Sequence, residues 1–277
     1  MIPMPAPDAS VLARRAEIQI ALRGLLDNPK DLIGEGLALK VYETDGLSAY
    51  RQVPLAVALP RTTQEVARIL SDCHANGIKV IARGSGTSLA GGALPTQDAV
   101  VLGLSQMSQV LDIDDDNRCA RVQAGVTNIN VSNAVDREKF FYAPDPSSQL
   151  ACTIAGNVAM NSGGAHCLKY GVTTNNLLGL TVVLMDGRIL TIGSESMDGD
   201  GYDLLGLFTG SEGMLGVVTE VLVRILPKPE GARPMLVGFK SEELAGACVA
   251  EIIGQGIVPV AIEFMDKPAI LACEAFA

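Results

Sequence analysis

The chain has 277 residues, of which 48% are hydrophobic and 19% are charged, a composition that supports a large core and excludes a disordered protein. Its net charge of −10 argues against a nucleic-acid-binding groove, which needs clustered Lys and Arg side chains. The six cysteines form no C-x-x-C pair, so we expect reduced thiols rather than a disulfide framework or a zinc site, and we predict no metal site.

The termini and the hydropathy pattern indicate where the protein works. The first ten residues, MIPMPAPDAS, lack the charged and apolar blocks of a signal peptide. No apolar run is long enough to span a bilayer. The sequence therefore predicts a cytoplasmic protein without a transmembrane segment.

Helices and strands alternate in the first part of the chain. In chain order, the pattern predicts a helix over residues 11–26, a strand over 54–60, a helix over 62–77 and a strand over 78–82. The second helix begins with Thr62 and Glu65 in capping-box spacing, and Val66, Ile69 and Leu70 mark its apolar face. The glycine-rich stretch that follows is thus expected directly after a strand–helix–strand unit.

The later part of the chain is richer in strands. The predicted elements are a strand over residues 99–104, a hairpin of two strands over 109–114 and 119–125, a second hairpin over 180–193 that turns at Asp186-Gly187, and a long strand over 216–227. A Pro- and Gly-containing segment over residues 228–234 indicates a domain boundary. Beyond it we predict a strand over 234–239 and a helix over 241–256. The fold class is mixed α+β.

The segment KVIARGSGTSLAGGA, residues 79–93, carries closely spaced glycines. It departs from the dinucleotide-binding fingerprint G-x-G-x-x-G because Leu89 stands at the last glycine position. It also lacks the Lys that follows the last glycine of a P-loop. Successive N–H groups in a glycine turn still form a nest that attracts anions. This segment alone leaves two interpretations open: a phosphate site or an ordinary glycine-rich loop.

Two further stretches favour a ligand. YAPDPSSQLACTIAGNVAMNSGGAHCLKYG, residues 142–171, has almost no charge and many small residues, amides and hydroxyls. Small residues permit close approach to a planar ligand, and the polar groups orient it. LFTGSEGMLGVVTEV, residues 207–221, adds a glycine-lined turn before a strand. Three such loops in one α+β unit indicate a long cofactor with the shape of FAD.

The order of these motifs resembles a known family. R-G-S-G-T-S-x-x-G-G, P-D-P-S-S-x-x-x-x-T-I-x-G-N, K-Y-G and G-S-E-G-x-L-G-V-V-T together resemble the PCMH-type (vanillyl-alcohol-oxidase-type) FAD-binding domain of the FAD-linked oxidases. The stretch AHCLKYGVTTNNLLGL is similar to the flavin subunits of glycolate-oxidising members. The resemblance implies a two-subdomain FAD-binding fold.

The resemblance also assigns residues to the cofactor. It implies that the pyrophosphate is cradled by Arg83, Gly84, Ser85, Gly86, Thr87, Ser88, Gly91 and Gly92. It implies that the flavin and ribityl region is lined by Pro144, Asp145, Ser148, Thr153, Gly156, Asn157, Gly163, Gly164 and Tyr170. It implies that the cofactor is closed over by Glu212, Gly213 and Val218.

The domain division implied by the resemblance has three parts. Residues 1–49 form an N-terminal helical segment, 50–229 the FAD-binding domain, and 230–277 the beginning of an α+β substrate (cap) domain. In the family the substrate-handling groups come mostly from that last domain, so we assign no catalytic residue in this chain. Because no His follows His166, we expect a C-terminally truncated chain that does not oxidise glycolate or D-lactate by itself.

The implied activity is FAD-dependent oxidation of a 2-hydroxy acid, glycolate or D-lactate, to the 2-oxo acid. One alternative is another D-2-hydroxy-acid dehydrogenase, acting on D-lactate or 2-hydroxyglutarate. A second alternative is a non-catalytic FAD-carrying electron-transfer subunit. The resemblance further implies an iron–sulfur subunit and a second FAD-binding subunit as partners, and a place in the cytoplasm or at the inner face of the membrane.

Single residues in these motifs also have structural interpretations. Tyr170 is equally compatible with a packing aromatic, Glu212 with a turn cap, and Asp145 with a residue that fixes a turn between two prolines. His166 is one of two histidines, and we interpret it as a structural or flavin-neighbouring residue rather than a covalent attachment site. We therefore expect FAD to be bound without a covalent bond.

Overall fold

Helices and strands alternate along the part of the chain that the computed structural model describes, residues 4–194 and 201–277. The helices are α1 (Ala9–Ala13), α2 (Arg15–Leu25), α3 (Thr63–Ala75), α4 (Asn128–Ala134), α5 (Ile154–Met160), α6 (Cys167–Tyr170), α7 (Leu204–Phe208), α8 (Glu242–Gly254) and α9 (Lys267–Phe276). The strands are β1 (Leu32–Ile33), β2 (Ala56–Ala58), β3 (Lys79–Arg83), β4 (Ala99–Gly103), β5 (Val110–Asp114), β6 (Cys119–Gln123), β7 (Phe140–Phe141), β8 (Leu177–Val183), β9 (Ile189–Gly193), β10 (Val217–Arg224) and β11 (Leu226–Pro227). These elements make the mixed α+β fold that the sequence predicts.

The first helical segment consists of two helices rather than the single one predicted over residues 11–26. Arg14 interrupts the helix, with φ −93° and ψ 12°, and separates α1 from α2. The buried face of α2 is formed by Ile18 and Leu22. Packing of this face onto the rest of the protein gives the N-terminal segment a fixed position.

A four-stranded sheet carries the glycine loop. Its strand order is β1-β2-β4-β3; β2, β4 and β3 run parallel, and β1 pairs antiparallel at the edge. Helix α3 connects β2 to β3, as the sequence predicts. The predicted capping box is present: the Thr62 hydroxyl accepts from the N–H of Glu65, and the Glu65 carboxylate accepts from the N–H of Thr62. The glycine loop leaves the carboxyl end of β3.

A five-stranded antiparallel sheet forms the second layer, in the order β5-β6-β10-β8-β9. The two predicted hairpins are its outer pairs, β5 with β6 and β8 with β9. Strand β10 lies in the middle and pairs with both β6 and β8. The turn that precedes β10 is thereby held at the end of the central strand.

Helix α3 joins the two sheets. Its apolar residues Val66, Ile69 and Leu70 are at most 1% exposed. They belong to one core cluster with Val100 of the first sheet and Leu180 of the second. The hydroxyls of Thr63 and Thr219 add a buried hydrogen bond between α3 and β10. A single continuous core therefore fixes the two sheets against each other.

The strand predicted over residues 234–239 is wrong. The described backbone forms no strand there, because no neighbouring strand supplies the hydrogen bonds that an isolated extended segment needs. Leu236 and Val237 are 101% and 55% exposed. The helix predicted next to it is α8, and α9 follows it.

A buried carboxylate anchors the N-terminal residues to the first sheet. Asp98 is 1% exposed and accepts hydrogen bonds from the Lys79 ammonium (2.8 Å) and the backbone N–H of Asp8 (2.9 Å). Burial by itself opposes ionisation, but these hydrogen bonds outweigh it and hold the pKa of Asp98 well below its usual value. The carboxylate therefore stabilises the fold when it is ionised.

We expect Asp98→Asn to destabilise the chain by on the order of 1–3 kcal/mol at neutral pH, because Lys79 loses its charged partner. Since the folded-state pKa is depressed, the stabilisation is complete above the unfolded-state pKa of about 3.9 and is lost as the pH falls through the folded-state value. Urea unfolding of both proteins from neutral to acid pH measures the effect. A difference that stays constant into strong acid would contradict the assigned role.

Candidate functional site

A cleft of about 290 Å³ opens between the loop after β3, helix α5 and the segment leading into β10. Its volume lies just below the range for small-molecule pockets, roughly 300–1,000 Å³. Its polar lining comes from the glycine loop and from side chains such as Ser148, Thr153 and Glu212, and much of its apolar lining comes from α5 and β10. The cleft therefore brings together the three glycine-containing stretches that the sequence singled out.

Most of the residues assigned to the cofactor line this cleft, namely Arg83, Gly84, Ser85, Gly86, Thr87, Ser88, Gly92, Ser148, Thr153, Gly156, Asn157, Glu212, Gly213 and Val218. Others lie outside its lining, namely Gly91, Pro144, Asp145, Gly163, Gly164 and Tyr170. Sequence reasoning missed Ala82, Ala93, Leu104, Cys152, Ala155, Ala159, Met160, Ser162, Phe208, Ser211, Gly216 and Val217. The missed residues are mostly small or apolar, and only their adjacency to motif residues could have indicated them.

The loop after β3 presents a row of free hydrogen-bond donors. In the part of the chain that the structure describes, the backbone N–H groups of residues 85–88 donate to no protein acceptor. The side chains of Ser85 and Thr87, which are exposed, add two hydroxyls. Because unpaired N–H groups along a glycine turn attract anions, this side of the cleft fits a phosphate group.

The Arg83 side chain supports the loop from within. It is 8% exposed, and its Nη1 donates to the carbonyls of Thr44 (2.6 Å) and Ala93 (3.3 Å). A side chain at Gly86, whose φ is 73°, would clash with this guanidinium. Burial lowers the pKa of Arg83, partly opposed by Asp45, but an arginine remains charged at neutral pH. The arginine therefore adds positive charge at the loop while fixing its shape.

Helix α5 packs directly against the loop. The Thr153 hydroxyl caps the helix by accepting from the N–H of Gly156 at 3.3 Å. A Cβ at Gly84 would collide with that same hydroxyl. Glycine at this position thus serves the close packing of loop and helix as well as access to the cleft.

A buried network of amide side chains connects α5 to α4 and to the segment that contains Pro144. The Asn128 side chain donates to the Pro144 carbonyl (2.9 Å) and to Oδ1 of Asn157 (3.0 Å). The Asn157 amide contacts the sulfur of Cys152 at 3.3 Å. Both asparagines are at most 2% exposed. Pro144 therefore acts on the cleft through Asn128, which no motif in the sequence indicates.

Asp145 and His166 form a pair outside the cleft lining. The Nδ1 atom of His166 lies 2.6 Å from Oδ2 of Asp145, and the His166 N–H donates to Oδ1 at 3.2 Å. Gly164 packs so closely on Asp145 that a Cβ there would collide with it. This geometry favours the structural interpretation of both residues: they tie the loop that follows Tyr142 to the segment before α6.

Tyr170 also packs within the protein. Its ring contacts the ring of Phe141 edge-on, with the centroids 5.7 Å apart and the planes at 78°. The Lys169 ammonium lies 5.6 Å from the same ring. These contacts favour the packing interpretation of this tyrosine.

The turn before β10 is anchored to the end of α5. Glu212 has a φ of 55°, which non-glycine residues rarely adopt, and its N–H donates to the Ala159 carbonyl at 2.9 Å. The N–H of Gly210 donates to the Val158 carbonyl at 2.8 Å. A strained residue at a cleft indicates a functional constraint. The hydrogen bond holds Glu212 beside the cleft, across from Gly92.

The cleft therefore has two different sides. One side is formed by the glycine loop, with the buried Arg83 guanidinium beneath it, and the other includes apolar residues such as Ala155, Ala159 and Val218. An elongated ligand with a phosphate at one part and a flat apolar ring at another fits both sides. Among residues 4–194 and 201–277, no cluster of His, Cys, Asp and Glu could hold a metal ion, and no helix is long and apolar enough to cross a membrane.

Comparison with known proteins gives two family matches. The family described as "FAD binding domain" matches residues 54–193, and that described as "FAD linked oxidases, C-terminal domain" matches residues 228–277. Among solved structures, alkyldihydroxyacetonephosphate synthase superimposes with a TM-score of 0.76 at 21% identity, over 94% of this chain and 48% of the synthase chain. The similarity to this synthase shows the fold of the chain.

Two relatives carry more sequence similarity. The glycolate oxidase subunit GlcD of Escherichia coli (strain K12) is 54% identical over 235 residues, which are 85% of this chain and 47% of GlcD. The D-lactate dehydrogenase of Archaeoglobus fulgidus is 38% identical over 235 residues, 84% of this chain and 52% of the dehydrogenase. The chain spans about half the length of the curated relatives it matches.

Proposed function

Because this chain belongs to the FAD binding domain family, we propose that FAD lies in the cleft described above and that the protein uses it to oxidise a 2-hydroxy acid to the 2-oxo acid. The observation that carries the proposal is that the N–H groups of residues 85–88 have no acceptor among the described residues and belong to a loop that lines the same cleft as small residues such as Ala155 and Ala159. Such a site matches both the diphosphate and the flat ring of FAD.

In this proposal the cofactor's parts are divided between the two sides of the cleft. The diphosphate lies on residues 84–88 and Gly92, with the buried charge of Arg83 behind it. The flavin and ribityl part lies against α5 and the residues before it, and the turn at Glu212 and Gly213 closes over the cofactor beside Val218. Pro144, Asp145, Gly163, Gly164 and Tyr170 support the flavin side from outside the cleft lining, and Gly91, which is also outside the lining, supports the diphosphate side as part of the glycine loop.

When bound, FAD supplies a two-electron acceptor for the hydride of the substrate's α-carbon. The residues of the cleft would bind and orient FAD, and the small residues on α5 would help to exclude water from the site. Oxidation also needs a base for the hydroxyl proton and a cation for the carboxylate. We propose that the FAD-binding domain comprises residues 50–229, after an N-terminal segment of residues 1–49, and that these groups belong to the substrate domain to which residues 230–277 contribute.

The proposed substrate is glycolate. This choice is supported by the 54% identity to a protein named as a glycolate oxidase subunit, and D-lactate is supported by the 38% identity to a D-lactate dehydrogenase. We also propose that the protein works with an iron–sulfur subunit and a second FAD-binding subunit, as a cytoplasmic protein that can associate with the inner face of the membrane.

If FAD lies in this cleft, we expect it to be bound without a covalent bond and its affinity to depend on the width of the cleft. We expect acid precipitation of the FAD-loaded chain to leave yellow flavin in the supernatant. Colour in the pellet would contradict the non-covalent assignment.

We also expect Ala159→Trp to weaken FAD binding at least about a hundredfold, since an indole on α5 would fill the cleft. Flavin fluorescence measures the affinity, and Ala151→Trp, at an exposed position before α5, is the matched control. Equal FAD affinities of the two variants would contradict the placement of FAD in the cleft.

The chemistry is tested by anaerobic mixing with excess glycolate, D-lactate or D-2-hydroxyglutarate, followed at the absorption band of oxidised flavin. Acetate, which lacks the hydroxyl, is the control. We expect the FAD-loaded chain of residues 1–277 to stay oxidised, and a longer protein that joins it to the base and the cation to bleach with at least one hydroxy acid. Bleaching of the 277-residue chain would show that it carries the catalytic groups. Bleaching of neither would favour a non-catalytic FAD carrier.

A further inference from the structure

Residues 42–47 lie outside the matched FAD-binding region, which begins at residue 54, yet they contact the glycine loop. The closest approach is at Gly46. A Cβ placed there would lie 2.7 Å from the carbonyl oxygen of Ser88 and 2.8 Å from that of Thr87. Both contacts are to backbone atoms, which cannot swing aside as a flexible side chain does. The backbone of Gly46 therefore lies directly against the part of the loop that carries the unpaired N–H groups.

The same segment holds the loop at its other end. A Cβ at Gly91 would lie 3.6 Å from Cδ2 of Leu47, an ordinary packing distance. Asp45 is 6% exposed, and its side chain accepts from the N–H of Leu47 at 2.9 Å, which fixes the local turn. The loop is thus in contact with this segment near both of its ends.

Arg83 links the segment to the base of the loop. Its Nη1 donates to the Thr44 carbonyl at 2.6 Å, and its guanidinium carbon lies 5.5 Å from the centre of the Tyr42 ring. The same Nη1 reaches the Ala93 carbonyl at the far end of the loop. One buried guanidinium therefore connects residues 42–47 with both ends of the glycine loop.

From this geometry we propose that residues 42–47 are a positioning element of the cofactor site, with Gly46 as its central positioning residue. By packing against the carbonyls of residues 87 and 88, the segment sets the direction of the neighbouring N–H groups that would hold the diphosphate. The inference rests on the proposed FAD site. It extends that site to a part of the chain that the family match does not include.

The experiment compares Gly46→Ala with Gly24→Ala. Neither glycine needs a positive φ, and a Cβ at Gly24 in α2 meets nothing within 4 Å. We expect Gly46→Ala to raise the Kd for FAD about tenfold, the effect of losing one charged hydrogen bond. We expect Gly24→Ala to change it less than about twofold. Riboflavin, which has the ring but no phosphate, is the second probe, and its Kd should not change in either variant.

The outcomes separate a positioning role from a general structural one. Thermal unfolding of the apoproteins shows whether Gly46→Ala lowers the stability of the chain. If it does, Leu47→Ala is used instead, because it removes a contact without adding an atom. Leu47→Ala should also weaken the binding of FAD and leave that of riboflavin unchanged. Equal FAD affinities for wild type, Gly46→Ala and Leu47→Ala would overturn the inference. So would a loss of riboflavin affinity equal to the loss for FAD. If Ala159→Trp leaves FAD binding intact, the proposed site itself is wrong.

Discussion

Gly86→Val is expected to abolish measurable FAD binding while the chain still folds. The backbone at this position has a φ of 73°, a conformation that a β-branched residue adopts only with strain. A side chain there would also meet the Arg83 guanidinium, which could move away only by breaking the hydrogen bonds of its Nη1 to the carbonyls of Thr44 and Ala93. The loop must therefore change shape, and its N–H groups leave the positions that the diphosphate needs. We expect a rise in Kd of at least about a hundredfold, since several charged hydrogen bonds are lost together.

Two variants serve as controls for this result. Gly231→Val makes the same substitution at a glycine with no positive φ and no atom near its Cβ. His166→Ala removes the hydrogen bond to Asp145 outside the cleft. Both should keep the FAD affinity within about threefold of wild type, measured by quenching of flavin fluorescence. A Gly86→Val affinity as high as that of His166→Ala would overturn the pyrophosphate assignment.

The second large effect concerns the core between the two sheets. Ile69→Ala is expected to destabilise the chain by about 2–5 kcal/mol, because it opens a cavity where α3 packs between the sheets. Ile69 is fully buried, whereas Ile20 on α2 is 68% exposed. The matched variant Ile20→Ala should change the free energy of unfolding by less than about 0.5 kcal/mol. Urea unfolding followed by circular dichroism measures both.

The loss at Ile69 is large relative to the total stability of about 5–15 kcal/mol that is typical of a domain. If the remaining stability of Ile69→Ala is close to zero, the unfolded fraction should also lower its apparent FAD affinity. Addition of saturating FAD should recover part of the lost stability. Equal stabilities of Ile69→Ala and Ile20→Ala would contradict the placement of α3 in a single continuous core.

Arg83 shows how one residue can have two roles at this site. A guanidinium that only bound phosphate would be expected to point into the cleft. Here its Nη1 is used by Thr44 and Ala93, so much of its effect on a ligand comes through the shape of the loop. Its charge still acts at short range because burial reduces screening by water. An arginine in a glycine-rich motif can thus stabilise the motif as well as the ligand.

Local signals in the sequence were sufficient for several elements. The Thr62–Glu65 spacing predicted the start of α3, since a capping box depends only on residues within one helical turn. The Asp186-Gly187 turn predicted the β8–β9 hairpin for the same reason. Local signals failed for residues 234–239, where a β-prone segment has no partner strand in the described part of the chain, and at Arg14, where no residue type indicates the interruption of the helix.

By itself the sequence determined the α+β class, the α3 unit, the hairpins and, through the order of its glycine motifs, the FAD-binding family. Only the tertiary structure decided which residues share the cleft. It placed Thr153 against Gly84, turned Arg83 beneath its own loop, and brought Gly46 and Asn128 into contact with the site. The physical reason is that helices and turns form from interactions between near neighbours in the chain. The cleft, in contrast, is formed by segments far apart in sequence, whose distances are set by the packing of the whole core.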